Sequence, residues 1–208
     1  MNYLQRKKRA IISAKQQGIL PSGYKLCEYL ESTGKEYINL GIKPDSDYGY
    51  RIIETLKYIA DHHPVGAYDG INYHCSIGQW NSWHWYMRWK NTLYIPGGGG
   101  ALNETYDLRT NYYNNKILVV NDVTKHSGLL TFSQVSQDIY LFGWNNNGVL
   151  DSHPMRILLC EITYKNELLM NLLPCLDNNN RPCMYDTVSK QTFYNQGTGE
   201  FLYGEVIN

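Results

Sequence analysis

Trp80-Asn81 and Trp144-Asn145 are the residue pairs best suited to holding a ligand. Each sets an indole beside a carboxamide in asparagine-containing, loop-like sequence. An exposed indole stacks on the apolar face of a sugar ring, and a neighbouring amide fixes its orientation through hydroxyl groups. Trp80, Asn81, Trp144 and Asn145 are therefore the expected carbohydrate-binding residues. Trp83, Trp85 and Trp89 could join such a platform or fill a core; their period-two spacing with Met87 favours the core.

Other chemistries fit less well. Hydrolysis of a glycosidic bond needs two carboxylates flanking one cleft. No glutamate-x-aspartate-x-x-glutamate pattern occurs, and Glu161 and Glu167 read as solvated charges flanking a turn. No catalytic residue is assigned, and no enzyme is expected. His62, His63, His74 and Cys75 contain zinc-ligand types, but adjacent histidines on a strand point to opposite faces. They read as surface or loop histidines, and no metal site is assigned. Calcium is the one cofactor for which oxygen ligands are at hand, in Asp45-Ser46-Asp47 and Asp177-Asn178-Asn179-Asn180, which are equally ordinary turns. The run Gly97 to Gly100 lacks the lysine and hydroxyl residue of a phosphate loop.

The elements that must position these groups are strands. Tyr37–Ile42, Tyr50–Leu56, Lys116–Val120, Ile139–Phe142, Met155–Ile162 and Leu168–Leu173 are apolar or alternating segments bounded by turn residues. A tight turn is expected at Lys165-Asn166-Glu167. Nineteen tyrosines suit half-buried strands and wet interfaces alike. Many short strands with intervening loops predict an all-β sandwich or barrel.

The 208 residues suffice for one domain with its own core. The formal net charge is zero but unevenly spread: residues 1–17 hold Arg6, Lys7, Lys8, Arg9 and Lys15 and no acid. Leu4, Ile11 and Ile12 add a thin apolar stripe, predicting a short helix that needs a partner surface. Leu4, Arg6, Lys7, Lys8, Arg9, Ile11 and Ile12 are the expected partner-anchoring residues. Gly18 and Pro21-Ser22-Gly23 end that arm as a hinge, giving an arm over 1–19 and a β-sandwich over 20–208. Five cysteines without a C-x-x-C pair read as reduced thiols. No apolar run approaches the ~20 residues of a membrane span, and the first residues do not form a secretory signal. Five basic charges without an aromatic platform argue against nucleic acid as partner.

Leu20-Pro21-Ser22-Gly23-Tyr24, Glu31-Ser32-Thr33-Gly34 and Tyr37-Ile38 open this domain. Leu141-Phe142-Gly143, Arg156, Pro174, Tyr185-Asp186 and Gly197-Thr198-Gly199 follow. Together they resemble the concanavalin A-like (laminin-G-like) jelly-roll domains of tailed phages and gut bacteria, over about residues 20–204. The resemblance implies an all-β, two-sheet jelly-roll sandwich behind a short N-terminal helical arm. It also implies a phage virion structural protein: a capsid decoration, head-fibre or tail module displaying a lectin-like sandwich. Its expected location is the virion, after synthesis in the bacterial host cytoplasm. Its expected partners are other virion proteins through the arm, cell-surface or mucosal glycans, and copies of itself. The alternative is a free carbohydrate-binding module or lectin of a gut bacterium. The closing motif is expected to shape the fold: Tyr185-Asp186 and Phe193-Tyr194 as a hairpin, Asn195 and Gly197-Thr198-Gly199 as its tight return, and Phe201 buried.

Overall fold

The computed structural model describes residues 19–207, apart from 60, 71–73, 81–83, 90–91, 95–97, 112, 114–116 and 129–132. The expected arm lies almost wholly outside the described residues, and with it Leu4, Arg6, Lys7, Lys8, Arg9, Ile11 and Ile12.

Among the described residues every regular element is a strand. In chain order they are β1 (Lys25–Leu26), β2 (Leu30–Ser32), β3 (Ile38–Asn39), β4 (Tyr48–Leu56), β5 (His62–Tyr68), β6 (His74–Trp80), β7 (His84–Trp89), β8 (Thr92–Tyr94), β9 (Thr105–Asn111) and β10 (Ile117–Val120). There follow β11 (Val123–His126), β12 (Tyr140–Leu141), β13 (Trp144–Asn146), β14 (Val149–Asp151), β15 (Met155–Tyr164), β16 (Glu167–Leu176), β17 (Pro182–Asp186), β18 (Thr192–Phe193) and β19 (Leu202–Tyr203).

These strands form two sheets. The larger runs β11-β10-β9-β4-β15-β16-β17-β18, with β1, β2 and β19 attached at its flank. The smaller runs β14-β13-β5-β6-β7-β8, with β12 and β3 attached. Inward positions alternate along each strand: Tyr50, Ile52 and Leu56 on β4 and Cys160 and Ile162 on β15 meet Val65, Ala67, Ile77, Trp85 and Met87 of the smaller sheet in one core. The molecule is an all-β sandwich, as its motifs implied.

Both ends of the resemblance have structural work. Glu31 forms an ion pair with Arg156 at 2.5 Å, tying β2 to β15. The Glu36 carboxylate accepts from Ser32 Oγ, Thr33 Oγ1 and Thr33 N, closing the turn before β3. The closing segment docks on this turn, with Gln196 N donating to Tyr37 O and Thr198 N to Lys35 O. A side chain at Gly197 would fall on the Lys35 carbonyl, so the close approach requires glycine. Phe201 is buried against Phe142, with ring centroids 4.4 Å apart. The β17–β18 hairpin forms as expected, with its own positive φ at Lys190 (63°); in the return that follows, positive φ falls at Gly199 (94°) as expected but not at Asn195.

A second, smaller apolar cluster joins the two ends of the described chain. Leu26, Leu173, Cys175, Cys183 and Tyr185 are buried there, with Leu20, Tyr24 and Ile207 packed against them. The Tyr24 ring meets that of Tyr185 edge-on at 5.8 Å. Cys27, Cys160, Cys175 and Cys183 are free and buried. Burial pushes the Cys27 thiol up to about 11 and the Cys183 thiol up to about 12, so neither is a thiolate nucleophile near neutral pH.

Candidate binding site

The tryptophan-asparagine pairs do not make one exposed platform. Trp144 is buried, only 6% exposed, and its ring stacks between His63 (4.5 Å, 14°) and Tyr68 (5.6 Å, 8°). Asn145 is buried as well and braces a loop: its Nδ2 donates to Asp138 O at 3.0 Å and its Oδ1 accepts from Gly148 N at 2.7 Å. Both assignments as exposed sugar contacts are corrected. The physical reason is the turn that follows. Asn147 (φ 51°) and Gly148 (φ 88°) form a two-residue return, so Trp144–Asn146 becomes a strand paired to β14 rather than a loop. Asn-Gly inside the asparagine run was the available signal. Trp80 closes β6 opposite His84, but its ring lies outside the described residues, as does Asn81. Trp85 fills the core beside Tyr106, with centroids 4.7 Å apart.

The histidines also depart from expectation. His62 and His63 do point to opposite faces, but neither is a surface residue. His62 is fully buried and pairs with buried Glu54 at 2.5 Å, while His63 bonds to the Tyr86 hydroxyl. Asp177 serves its own turn: Oδ1 accepts from Asn179 N and Arg181 N, and Oδ2 from Arg181 Nε and Tyr194 OH. In the other candidate loop, Asp45 Oδ1 accepts from Asp47 N at 2.8 Å. Among the described residues no group of three or more His, Cys, Asp or Glu side chains is arranged to hold a metal ion.

A shaped site lies instead on the outer face of the larger sheet. Because Tyr50, Ile52, Leu108, Leu118, Cys160 and Ile162 point inward, their strand neighbours Arg51, Arg109, Val119, Glu161 and Thr163 point outward. Register then assembles them. Arg109, Arg51 and Glu161 form one row across β9, β4 and β15; Asn111, Gly49 and Thr163 form the next. Gly49 lets these two rows pack closely, since a Cβ there would sit 2.6 Å from Thr163 Oγ1 and 3.0 Å from Thr110 O. The result is an open depression of about 320 Å³ lined by Arg51, Arg109, Asn111, Glu161, Thr163 and their neighbours. That volume is at the lower end of the ~300–1,000 Å³ typical of small-molecule sites.

The electrostatics hold this site rigid. Arg51 and Arg109 lie directly opposite one another, and Asp107, with its side chain 3% exposed, answers both. Arg51 donates through Nε and Nη2 to Asp107 and through Nη1 to Glu161 at 3.2 Å. Arg109 donates through Nε (3.0 Å) and Nη2 (2.5 Å) to Asp107, and its Nη1 lies 3.1 Å from Asp122. Burial pushes the Asp107 carboxyl up, but hydrogen bonds from Arg109 and Arg51 outweigh it and hold the group below the usual aspartate range. A general acid for glycoside hydrolysis needs the opposite shift. Asp107 is therefore not poised as such an acid.

No single stretch of sequence signals this site, because residues 51, 109 and 161 meet only through strand pairing. No family model matches the chain, and no curated protein matches it. A solved structure described as a "putative carbohydrate binding protein" from Bacteroides ovatus is similar, with TM-score 0.62 at 12% identity. The likeness covers 88% of this chain and 61% of that one, so this chain spans less than two thirds of its neighbour's length, and at this identity the likeness concerns the fold.

Proposed function

We propose that this protein is a carbohydrate-binding β-sandwich that holds sugars in the depression between Arg51, Arg109, Glu161 and Thr163. The observation that carries the reading is that depression: a preformed hollow on the face of the sheet, with guanidinium and carboxylate groups at its wall already oriented by one another. The fold shared with the Bacteroides ovatus protein supports it. A glycan array probed with the full chain tests it: saturable binding to a defined glycan set is expected, and a flat response overturns it.

The setting we propose is a virion, with the sandwich displayed as a decoration, fibre or tail module. The concentration of basic residues in 1–17 and the phage-like motifs support that setting. Mass spectrometry of purified particles checks it. The full chain is expected in the particle and a chain lacking residues 1–19 is expected to be missing from it. A chain never found with particles would leave the free lectin of a gut bacterium.

A further inference from the structure

Resting on the carbohydrate-binding reading, we infer that the depression selects an uncharged sugar bearing adjacent hydroxyl groups and rejects acidic sugars. The inference comes from which polar groups are already committed and what charge is left.

Two guanidiniums, Arg51 and Arg109, meet three carboxylates, Asp107, Glu161 and Asp122, so the cluster carries about one net negative charge. Each arginine already spends three donor directions on those carboxylates. A carboxylate or sulfate on a sugar would compete with Asp107 for the same donors and would face the remaining negative charge. An anion-selective site is best served by an arginine Nε–Nη2 fork left open for bidentate pairing, and that fork of each arginine is closed on Asp107.

What remains uncommitted suits hydroxyl groups. A guanidinium has five N–H donors, so each arginine keeps two beyond its ion pairs. Glu161 bonds Arg51 through Oε2 and has Oε1 left as an acceptor. Thr163 Oγ1, which both donates and accepts, has no hydrogen-bond partner among the described residues, and Thr163 lines the depression. Donors on one side, an acceptor on the other and a group of both kinds between them match a pair of neighbouring hydroxyls. Each sugar hydroxyl also donates and accepts.

The test uses the full chain on an array holding neutral glycans beside sialylated, uronic and sulfated ones. It is followed by titration of the tightest binder against wild type, Glu161→Gln and Thr163→Val. Neutral glycans are expected to bind. Thr163→Val, nearly isosteric, should weaken them roughly 5-fold, and Glu161→Gln roughly 5- to 10-fold, each by losing one hydrogen bond. Binding should change less than about twofold between 0.05 and 0.5 M salt, since no net charge is neutralised. Binders carrying acidic groups, or tighter binding by Glu161→Gln, would overturn the neutral-sugar inference while leaving carbohydrate binding in place. Neutral binding untouched by either variant would move the site elsewhere and overturn the inference as well. A silent array would remove the carbohydrate-binding reading beneath it.

Discussion

Strand β4 carries hydrogen-bonded polar pairs on both faces, and the two are built to opposite standards. Outward, Arg51 shares Asp107 with Arg109 and reaches Glu161, while both arginine side chains stay about a third exposed, at 33% and 37%. Inward, Glu54 pairs with His62 across the two sheets with neither side chain exposed. There, among the described residues, Glu54 Oε1 and His62 Nδ1 have no hydrogen-bond partner, and neither has Gln79 Nε2 on the strand register opposite His62. The outer network has its charges answered several times and solvent close by. The inner pair has one bond and no solvent. Polar groups on a sheet's outer face can thus be tuned toward a ligand at little cost, whereas the inner pair mainly dictates how the sheets sit on one another.

Removing one member of the inner pair is the harshest way to break this contrast. His62→Phe leaves Glu54 buried without its partner and should cost about 3–5 kcal/mol in urea unfolding. The double change Glu54→Leu with His62→Phe replaces both polar groups by apolar ones and should recover most of that loss. Equal losses for the single and double variants would show that the pair is not coupled, and the contrast would fall.

The outer network should give a smaller and pH-dependent loss. Asp107→Asn removes the charge shared by two arginines and should cost about 1–2 kcal/mol at neutral pH, reduced by the partial exposure of those arginines. The native Asp107 carboxyl is held below its ordinary range, principally by Arg109 and Arg51 against the opposing effect of burial. Its contribution is therefore present above the unfolded aspartate value and fades as the pH falls through the native one. The gap between wild type and Asp107→Asn should be widest above about pH 5 and should close in acid. A gap that widens on acidification would contradict the assignment.

Much of the frame was legible in sequence because its signals are local. The segment Tyr50–Leu56 marked β4, and Lys165 (φ 50°) and Asn166 (φ 67°) do form the tight turn before β16. The depression was not legible, since Arg51, Arg109 and Glu161 are each ordinary strand residues until register lines them up. One missed signal was available for the inner pair. Glu54 falls on the inward parity of β4 with Tyr50, Ile52 and Leu56, and an acid at such a position requires a buried partner. His62, eight residues on, is that partner. Trp144 lies on a strand because the Asn147-Gly148 turn, and not the asparagine-rich composition around it, sets its conformation.

The mildest change sharpens the contrast from the outer side. Gly49→Ala adds one methyl group against Thr163, which lines the depression. Alanine gains roughly 0.5–1 kcal/mol over glycine in a strand interior, because the unfolded chain has less freedom to lose. Against that gain, the new Cβ meets Thr163 Oγ1 at 2.6 Å, which a rotation of the threonine relieves, and Thr110 O at 3.0 Å, which only a small backbone shift relieves. The two effects should nearly cancel, leaving unfolding within about 0.5 kcal/mol of wild type. Ligand binding should not be spared, since the methyl group occupies the gap between Asn111 and Thr163 and displaces the Thr163 hydroxyl. Stability unchanged with sugar affinity lost by tenfold or more, measured on the same preparation by urea titration and calorimetry, is the expected pair of results. Stability and affinity lost together would mean that Gly49 serves the sheet rather than the site.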